Sequence, residues 1–212
     1  MSANVIPVFG KAIYEKRLDL KTREIVPLID DAVKPFLDNK QSSKGQCYNS
    51  KDTFYVLEQD KFKFLKEIIR SEFKEYFHGA LKYTNDFKIT TSWFTILEET
   101  KKVQVHTHHN CFMSGVLYLQ ADEDSGDIVF QDFNDKRHSL VPTEYNIFNC
   151  TSWRFTPSDG LLLFFPAELY HSVDENKSNI TRYSLAFNII PIGTLGSEKN
   201  DSHYVSDKTL YE

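Results

Sequence analysis

The sequence predicts a mainly β protein with flanking helices, an α+β arrangement in which N-terminal helices pack on one side of an antiparallel barrel or jelly roll. Aromatic residues make up 14% of the chain, including 17 Phe, and together with β-branched residues they favour strands. Helical patterns come first along the chain, and short apolar runs at even spacing follow them. That order is typical of helices placed on one side of an antiparallel β structure.

The N-terminal segment, residues 1–84, is predicted to support the barrel. Its first helix contains Pro27 and Pro35, and a proline inside a helix removes a hydrogen bond and can break it. Its second helix has the stronger periodicity of apolar residues, with Gly79 near the end. The predicted segments are a strand at 5–9, a helix at 18–37, a polar loop at 38–52 and a helix at 56–83.

Residues 85–191 are predicted to form the β core of what we expect to be one domain. Residues 134–158 interrupt the core as an irregular insertion, where a lid or substrate wall is expected. Residues 192–212 are predicted to be a loosely attached tail. The predicted strands are 87–98, 103–108, 112–119, 127–133, 153–156, 160–165, 170–173 and 181–190, and Pro191 is expected to close the last one.

Composition argues against several classes of function. The net charge of −5 and the pI near 5.8 disfavour a broad nucleic-acid-binding face. Three widely spaced Cys fit neither a disulfide framework nor a CxxC zinc site, and they are typical of a reducing cytosol. The first residues lack the pattern of a signal peptide, and no apolar run reaches the length of a membrane span. We therefore expect a cytoplasmic protein with no nucleic-acid or membrane partner, and a homodimer through the N-terminal helices stays open.

The strongest chemical signal is the segment Val105–Asn110, which holds three of the seven His. His106 and His108 are separated by one residue, so on a strand both imidazoles point to the same face, where they could supply two ligands to a metal. His109 would point to the opposite face. This spacing by itself leaves metal binding and an ordinary pair of histidines equally open. The remaining histidines outside the predicted sites are interpreted as surface or core residues: His78, His138 and His203.

Two further features lie downstream. His171 follows a strongly apolar strand, which places it in the interior of the sheet region. Arg182 opens another apolar strand, with Ser184 on the same face. A buried Arg needs an anionic partner, and its planar fork suits a carboxylate, to which a Ser hydroxyl adds a further donor. An ordinary surface ion pair is the alternative for Arg182.

Two close histidines, one distant histidine and an inward Arg-x-Ser together resemble the Fe(II)/2-oxoglutarate-dependent oxygenase superfamily, whose fold is a double-stranded β-helix of the jelly-roll or cupin type. The resemblance runs from about Trp93 to Pro191 and is greatest to prolyl-hydroxylase-like members. The pattern is also similar to that of small oxygenases common in marine bacteria and their phages. The segments that carry the resemblance, besides the histidine motif, are Ser114–Leu119, Ser125–Phe130, Gly160–Pro166, His171–Val173 and Arg182–Asn188.

The resemblance implies Fe(II), 2-oxoglutarate and O2 as cofactor and co-substrates. His106 and His171 match the two histidine ligands of the family. Arg182 and Ser184 match the clamp on the distal carboxylate of 2-oxoglutarate. Tyr118 matches a tyrosine that assists this clamp, and a plain core position is its alternative.

The chain departs from the family at His108, where most members have Asp or Glu, the carboxylate of a 2-His-1-carboxylate triad. Either His106, His108 and His171 hold the metal as three histidines, or Asn110 or a carboxylate from elsewhere takes part. A neutral third ligand would leave the metal centre one negative charge short.

The resemblance implies a hydroxylase that couples the decarboxylation of 2-oxoglutarate to succinate with the oxidation of a substrate, for which a peptide or protein side chain is the expected class. Two alternatives stay open. One is a three-histidine, cupin-type iron dioxygenase that does not use 2-oxoglutarate. The other is a non-catalytic β-helix protein that binds a metal or a carboxylate ligand.

Overall fold

The computed structural model describes residues 10–37, 48–50, 55–133, 140–197, 199 and 202–206. The predicted strand at 5–9 lies outside these residues, as do His138 and the last residues of the predicted tail. The described strands, in chain order, are β1 (Tyr14–Arg17), β2 (Tyr48–Asn49), β3 (Asp86–Leu97), β4 (Val103–His106), β5 (Met113–Gln120), β6 (Ile128–Gln131), β7 (Ser152–Phe155), β8 (Leu161–Pro166), β9 (Tyr170–Val173), β10 (Arg182–Leu195) and β11 (Tyr204–Ser206).

These strands form two antiparallel sheets. The larger sheet has the order β1-β8-β5-β10-β3-β2, with β11 paired to β10, and the smaller sheet has the order β4-β9-β6-β7. Helices cover one face of the larger sheet, and the smaller sheet covers the other. The mainly β fold with helices on one side is therefore confirmed.

The helical layer contains α1 (Thr22–Leu37) and α2 (Lys63–Lys74). The first helix runs through both of its prolines as one helix, so the expected break is absent. Ile25 and Ile29 on this helix are buried in the core beneath the larger sheet, and packing of an apolar face stabilises a helix more than residue propensity does.

The predicted second helix at 56–83 is divided, which corrects the sequence-based expectation. Gln59 has an extended backbone with ψ of 135°, so the chain forms two 3-10 turns before α2 begins. A π-helical turn, Glu75–Ala80, follows α2 and contains Gly79. The apolar periodicity continues through all these forms, because Phe62 of the second 3-10 turn, Ile69 of α2 and Phe77 of the π-helical turn are buried in one core.

The end of the chain also differs from the prediction. β10 continues past Pro191, which pairs with Phe87 on β3. Pairing of β10 with β5 ends at Ile189. Because Pro191 lies beyond that point, its missing N–H interrupts no hydrogen bond between β10 and β5. Part of the expected loose tail forms β11, which pairs with Gly193–Leu195. The expected loop at 38–52 likewise contains β2 at its end.

Alternating residues of the larger sheet separate two cores. On β8, Leu162 and Phe164 face the helices, whereas Leu163 and Phe165 face the smaller sheet. This strand is buried on both faces, which explains why its sequence is continuously apolar rather than alternating. The core that contains Leu163 and Phe165 also includes Ile128 from the smaller sheet, so the two sheets pack face to face there. Within the described part of the chain, no helix is long and apolar enough to cross a membrane.

A histidine cluster and the adjoining cavity

Strand pairing brings the distant histidines together. His106 is the last residue of β4 and lies directly opposite His171 on β9, so both side chains point to the same face. His108 lies beyond the end of β4, where the chain no longer has the predicted strand form. Its backbone N–H donates to the carbonyl of Ala167 at 3.0 Å, which fixes the loop and turns the imidazole toward the other two.

The three imidazoles form a compact cluster. One ring nitrogen from each of His106, His108 and His171 lies within 4.8 Å of the others. The Nε2 atoms of His108 and His171 are 3.3 Å apart. Two nitrogens bound at about 2.1 Å to one divalent ion, at an angle between 90° and the tetrahedral value, are about 3.0–3.4 Å apart. The residues therefore fit a metal ion.

Backbone hydrogen bonds hold two of the rings in the orientation that a metal requires. His106 Nδ1 lies 2.8 Å from the carbonyl oxygen of Gln104, and His171 Nδ1 lies 2.9 Å from that of Leu169. A carbonyl can only accept, so each Nδ1 carries the hydrogen and donates. The tautomer is thereby fixed, and each Nε2 keeps a lone pair that points into the cluster.

Burial disfavours the charged form of two of the three imidazoles. It lowers the pKa of His108 from 6.5 to about 4 and that of His171 to about 3, and the neighbouring His106 adds to both shifts. The phenyl rings of Phe130 and Phe165 pack against His171, with ring centroids 5.8 and 4.8 Å away. Neutral imidazole is the form that binds metal, so near pH 7 these two side chains need no deprotonation to act as ligands.

The cluster forms one side of a cavity of about 450 Å³ between the two sheets. The described lining contains no Asp or Glu, and no carboxylate joins the three histidines among the described residues. Three imidazoles therefore stand where the family resemblance leads one to expect two imidazoles and a carboxylate.

One end of the cavity is cationic. Arg182 is 2% exposed and lines this end. Its Nη1 donates to the carbonyl oxygens of Ser125 and Gly126, at 3.2 and 2.8 Å. These contacts to the loop between β5 and β6 fix the guanidinium. Arg182 is therefore a buried cation in the cavity wall, and the alternative of a surface position does not hold.

Tyr118 and Ser184 lie beside this guanidinium. They are directly opposite one another on β5 and β10, so both face the cavity. Arg182 Nη2 lies 3.4 Å from the Tyr118 hydroxyl, and its Cζ lies 4.7 Å from the ring centroid. Burial raises the pKa of Tyr118, which Arg182 partly offsets, so the hydroxyl keeps its proton. Ser184 Oγ donates weakly to the carbonyl of Thr95 at 3.4 Å.

Asn110 is the one predicted site residue that the structure does not bring to this cavity. It is exposed, has a left-handed backbone with φ of 58°, and is absent from the lining. The neighbouring His109 is also exposed and outside the cluster. His78 bonds to the carbonyl of Tyr83, and His203 is exposed, which agrees with their interpretation as ordinary histidines.

Sequence reasoning missed several residues of the cavity wall. Asn188 and Thr91 line the end remote from Arg182, and Trp93 contacts His108 with ring centroids 5.8 Å apart. Asn188 could have been found, because it follows Arg182 by six residues on one strand and so shares its face. Trp93 had no such signal, since its strand partner becomes known only from the pairing of β3 with β10.

Comparison with known proteins gives one family match, over slightly less than half of the chain. A family model with the description "Putative 2OG-Fe(II) oxygenase" matches residues 91–188. That range contains β4 to β9 and parts of β3 and β10, and with them every residue of the histidine cluster and of the Arg182 end. No curated protein matches the sequence.

Solved structures show the same fold at low sequence identity. The α-ketoglutarate-dependent epimerase SnoN from nogalamycin biosynthesis matches with a TM-score of 0.61 and 12% identity, over 90% of this chain and 83% of that chain. A Pseudomonas putida prolyl-4-hydroxylase matches with a TM-score of 0.55 and 14% identity, over 86% of this chain and 94% of that chain. The viral collagen prolyl hydroxylase vCPH from Paramecium Bursaria Chlorella virus-1 matches with a TM-score of 0.55 and 14% identity, over 85% of this chain and 96% of that chain. The double-stranded β-helix fold is therefore confirmed.

Proposed function

We propose that this chain, which the model of the 2OG-Fe(II) oxygenase family matches over residues 91–188, is a hydroxylase that uses Fe(II), 2-oxoglutarate and O2. The observation that carries the proposal is the pairing of a three-histidine cluster with a buried Arg in one cavity. The overall reaction converts 2-oxoglutarate, O2 and a C–H bond into succinate, CO2 and an alcohol.

His106, His108 and His171 are the proposed metal ligands. Fe(II), when bound, would supply the activation of O2 and the oxidative decarboxylation of 2-oxoglutarate. The chain's own contribution is to keep His108 and His171 neutral by burial, and to orient His106 and His171 through their Nδ1–H groups. Because all three ligands are neutral, the negative charge at the site comes from the co-substrate.

Arg182 is the proposed partner of the distal carboxylate of 2-oxoglutarate, with Ser184 and Tyr118 as hydroxyl donors. A dianion would enter a cavity whose described lining has one cation and no acid, which favours it electrostatically. Side chains such as Val116 and Phe165 make the middle of the wall apolar and exclude water from the space between the carboxylate clamp and the histidines. Asn110 is left out of this proposal because it lies outside the cavity lining.

For the primary substrate we propose a peptide or protein side chain. Two of the structural neighbours are named as prolyl hydroxylases, one of them acting on collagen. At 14% identity this likeness is one of fold, so it supports the substrate class only by analogy.

A cupin-type dioxygenase without 2-oxoglutarate is the second candidate, and the three-histidine cluster favours it. Such an enzyme has no use for a buried Arg in the same cavity. The position of Arg182 therefore favours the first proposal. Release of succinate in step with substrate oxidation would exclude both this candidate and a non-catalytic binding protein.

The proposal is tested by anaerobic titration of the Fe(II)-loaded protein with 2-oxoglutarate, with detection of the metal-to-ligand charge-transfer band. We expect the band in the wild type. The variant His108→Ala loses one of three ligands and should bind Fe(II) at least about 100-fold more weakly. The matched control His109→Ala removes an exposed neighbour and should leave the titration unchanged. A wild-type protein that binds Fe(II) but gives no band with 2-oxoglutarate would refute the proposal.

A further inference from the structure

The end of the cavity remote from Arg182 has a built polar wall. Asn188 lies in the middle of a cross-strand row on the larger sheet, with Thr91 opposite it on β3 and Ser114 opposite it on β5. Ser114 Oγ donates to Asn188 Oδ1 at 2.8 Å, and Asn188 Nδ2 donates to Thr91 Oγ1 at 3.0 Å. The carboxamide is thus held from both sides and its plane is fixed.

These two bonds use only half of the hydrogen-bonding capacity of the Asn188 carboxamide. An Asn side chain has two N–H donors and an oxygen with two lone pairs. One N–H and one lone pair remain after the contacts to Thr91 and Ser114. Both neighbours are hydroxyls that donate or accept equally well, so the same donor and acceptor remain whichever way the amide is turned. Asn188 is part of the cavity lining and is half-buried, so this pair of groups faces the cavity.

The row containing Asn188 leads toward the histidines. Phe165, which packs against His171, is opposite Ser114 in the same row. Two interstrand spacings, about 10 Å, therefore separate the backbones of Asn188 and Phe165. Trp93, two residues from Thr91 on the same face of β3, contacts His108. A group bonded to Asn188 would lie beside this indole and next to the histidine cluster.

The ligand that matches this wall is a neutral planar amide. An amide offers one donor and one acceptor side by side, which complements the remaining N–H and lone pair, and its plane can stack on the indole of Trp93. The cation of the cavity lies at the opposite end, six residues away along β10, so an anion has no charged partner here. We infer that Asn188 binds an amide group of the primary substrate, a polypeptide, through two hydrogen bonds. This inference rests on the proposed function and names the contact that would orient its substrate.

The inference is tested with N-methylacetamide as the probe and the protein loaded with Mn²⁺ and 2-oxoglutarate. Mn²⁺ at the cluster speeds the relaxation of nearby probe protons. We expect the enhancement in the wild type to fall at least threefold in Asn188→Ala. The matched control Asn85→Ala, outside the cavity lining, should keep the wild-type enhancement. Methyl acetate, which lacks the N–H, should show at most a third of the effect.

A second measurement needs neither a metal nor a variant. In the ¹⁵N-labelled metal-free wild type, the side-chain NH₂ signals of Asn188 should shift on addition of N-methylacetamide and not on addition of methyl acetate. Equal relaxation in the wild type and Asn188→Ala when both bind Mn²⁺ and 2-oxoglutarate, or no shift of these signals, would overturn the inference. If the protein fails to bind Mn²⁺ and 2-oxoglutarate but the signals shift, the proposed function falls and the amide contact stands.

Discussion

Removal of the Arg182 side chain separates a role in co-substrate binding from a role in stability. In Arg182→Ala the carbonyls of Ser125 and Gly126 lose their donor. A buried polar group left without a partner costs about 1–3 kcal/mol, so the two together should lower the free energy of unfolding by about 2–6 kcal/mol. For a chain of this length that corresponds to a fall in Tm of at least about 4 °C.

The same variant should lose affinity for 2-oxoglutarate for a different reason. Truncation of one partner of a buried, hydrogen-bonded charge pair costs about 2–5 kcal/mol, which is a roughly 30- to 5,000-fold increase in Kd. The ligand 2-oxopentanoate has the same chain length and the same metal-chelating end, but a methyl group replaces the distal carboxylate. Its affinity should change little between the wild type and Arg182→Ala.

The assay is calorimetric titration of 2-oxoglutarate and of 2-oxopentanoate into the wild type and into Arg182→Ala, in the presence of Mn²⁺. The four affinities form a double-mutant cycle in which removal of the ligand's distal carboxylate takes the place of the second mutation. Arg154→Ala is the matched control, because Arg154 pairs with Asp174 on the outer face of the smaller sheet and is largely exposed. It should leave both affinities unchanged. An equal loss of affinity for the two ligands in Arg182→Ala would refute the clamp and assign the effect to damaged folding.

Further predictions follow from the same geometry. Gly126→Ala requires a side chain at a φ of +85°, with the Cβ 2.3 Å from a backbone carbonyl oxygen. The substitution should therefore displace the carbonyl that holds Arg182 and lower both Tm and the affinity for 2-oxoglutarate. An unchanged Kd for 2-oxoglutarate would count against the contact. Tyr118→Phe removes a hydroxyl 3.4 Å from Arg182. Because this is one neutral hydrogen bond, calorimetry should show a loss of 2-oxoglutarate affinity of no more than about tenfold. A larger loss would mean that the tyrosine, rather than the Arg, is the main anchor. In the metal-free protein, His108 and His171 bind protons more readily when unfolded, because their folded pKa values are lowered to about 4 and about 3 from 6.5. The contribution of these two groups to stability is therefore constant above about pH 6.5 and declines as the pH falls toward their folded pKa values, by about 2–4 kcal/mol at pH 5. Urea unfolding at pH 7 and pH 5 measures the decline, and a smaller decline in His108→Gln is the control.

Local sequence patterns predicted most strands because each strand carries its own signal. β9 has the predicted limits, and β3 and β5 differ from theirs by about one residue at each end. The predictions failed where the surroundings override the local pattern. The backbone turn at Gln59 divided one predicted helix, and packing of Ile25 and Ile29 kept another continuous through its prolines. The marine and phage subfamily, the domain limits and the lid at 134–158 stay predictions.

The sequence by itself determined the chemical groups of the candidate site. Side chains two residues apart on a strand share a face, so Arg182 and Ser184 could be paired without a structure. His106 and His108 were paired by the same rule, although the strand ends at His106 and a hydrogen bond to Ala167 positions His108 instead. His108 thus lies beside His106 because of a loop contact rather than a strand, and its role as a metal ligand stays a prediction.

Only the tertiary structure decided what surrounds these groups. The pairing of β4 with β9 sets His171 opposite His106, and within the described residues it brings no carboxylate to the cluster. The pairing of β10 with β3 and β5 sets Asn188 between two hydroxyls at the far end of the cavity. Strand register between segments distant in sequence depends on how whole faces pack together, so no local pattern encodes it.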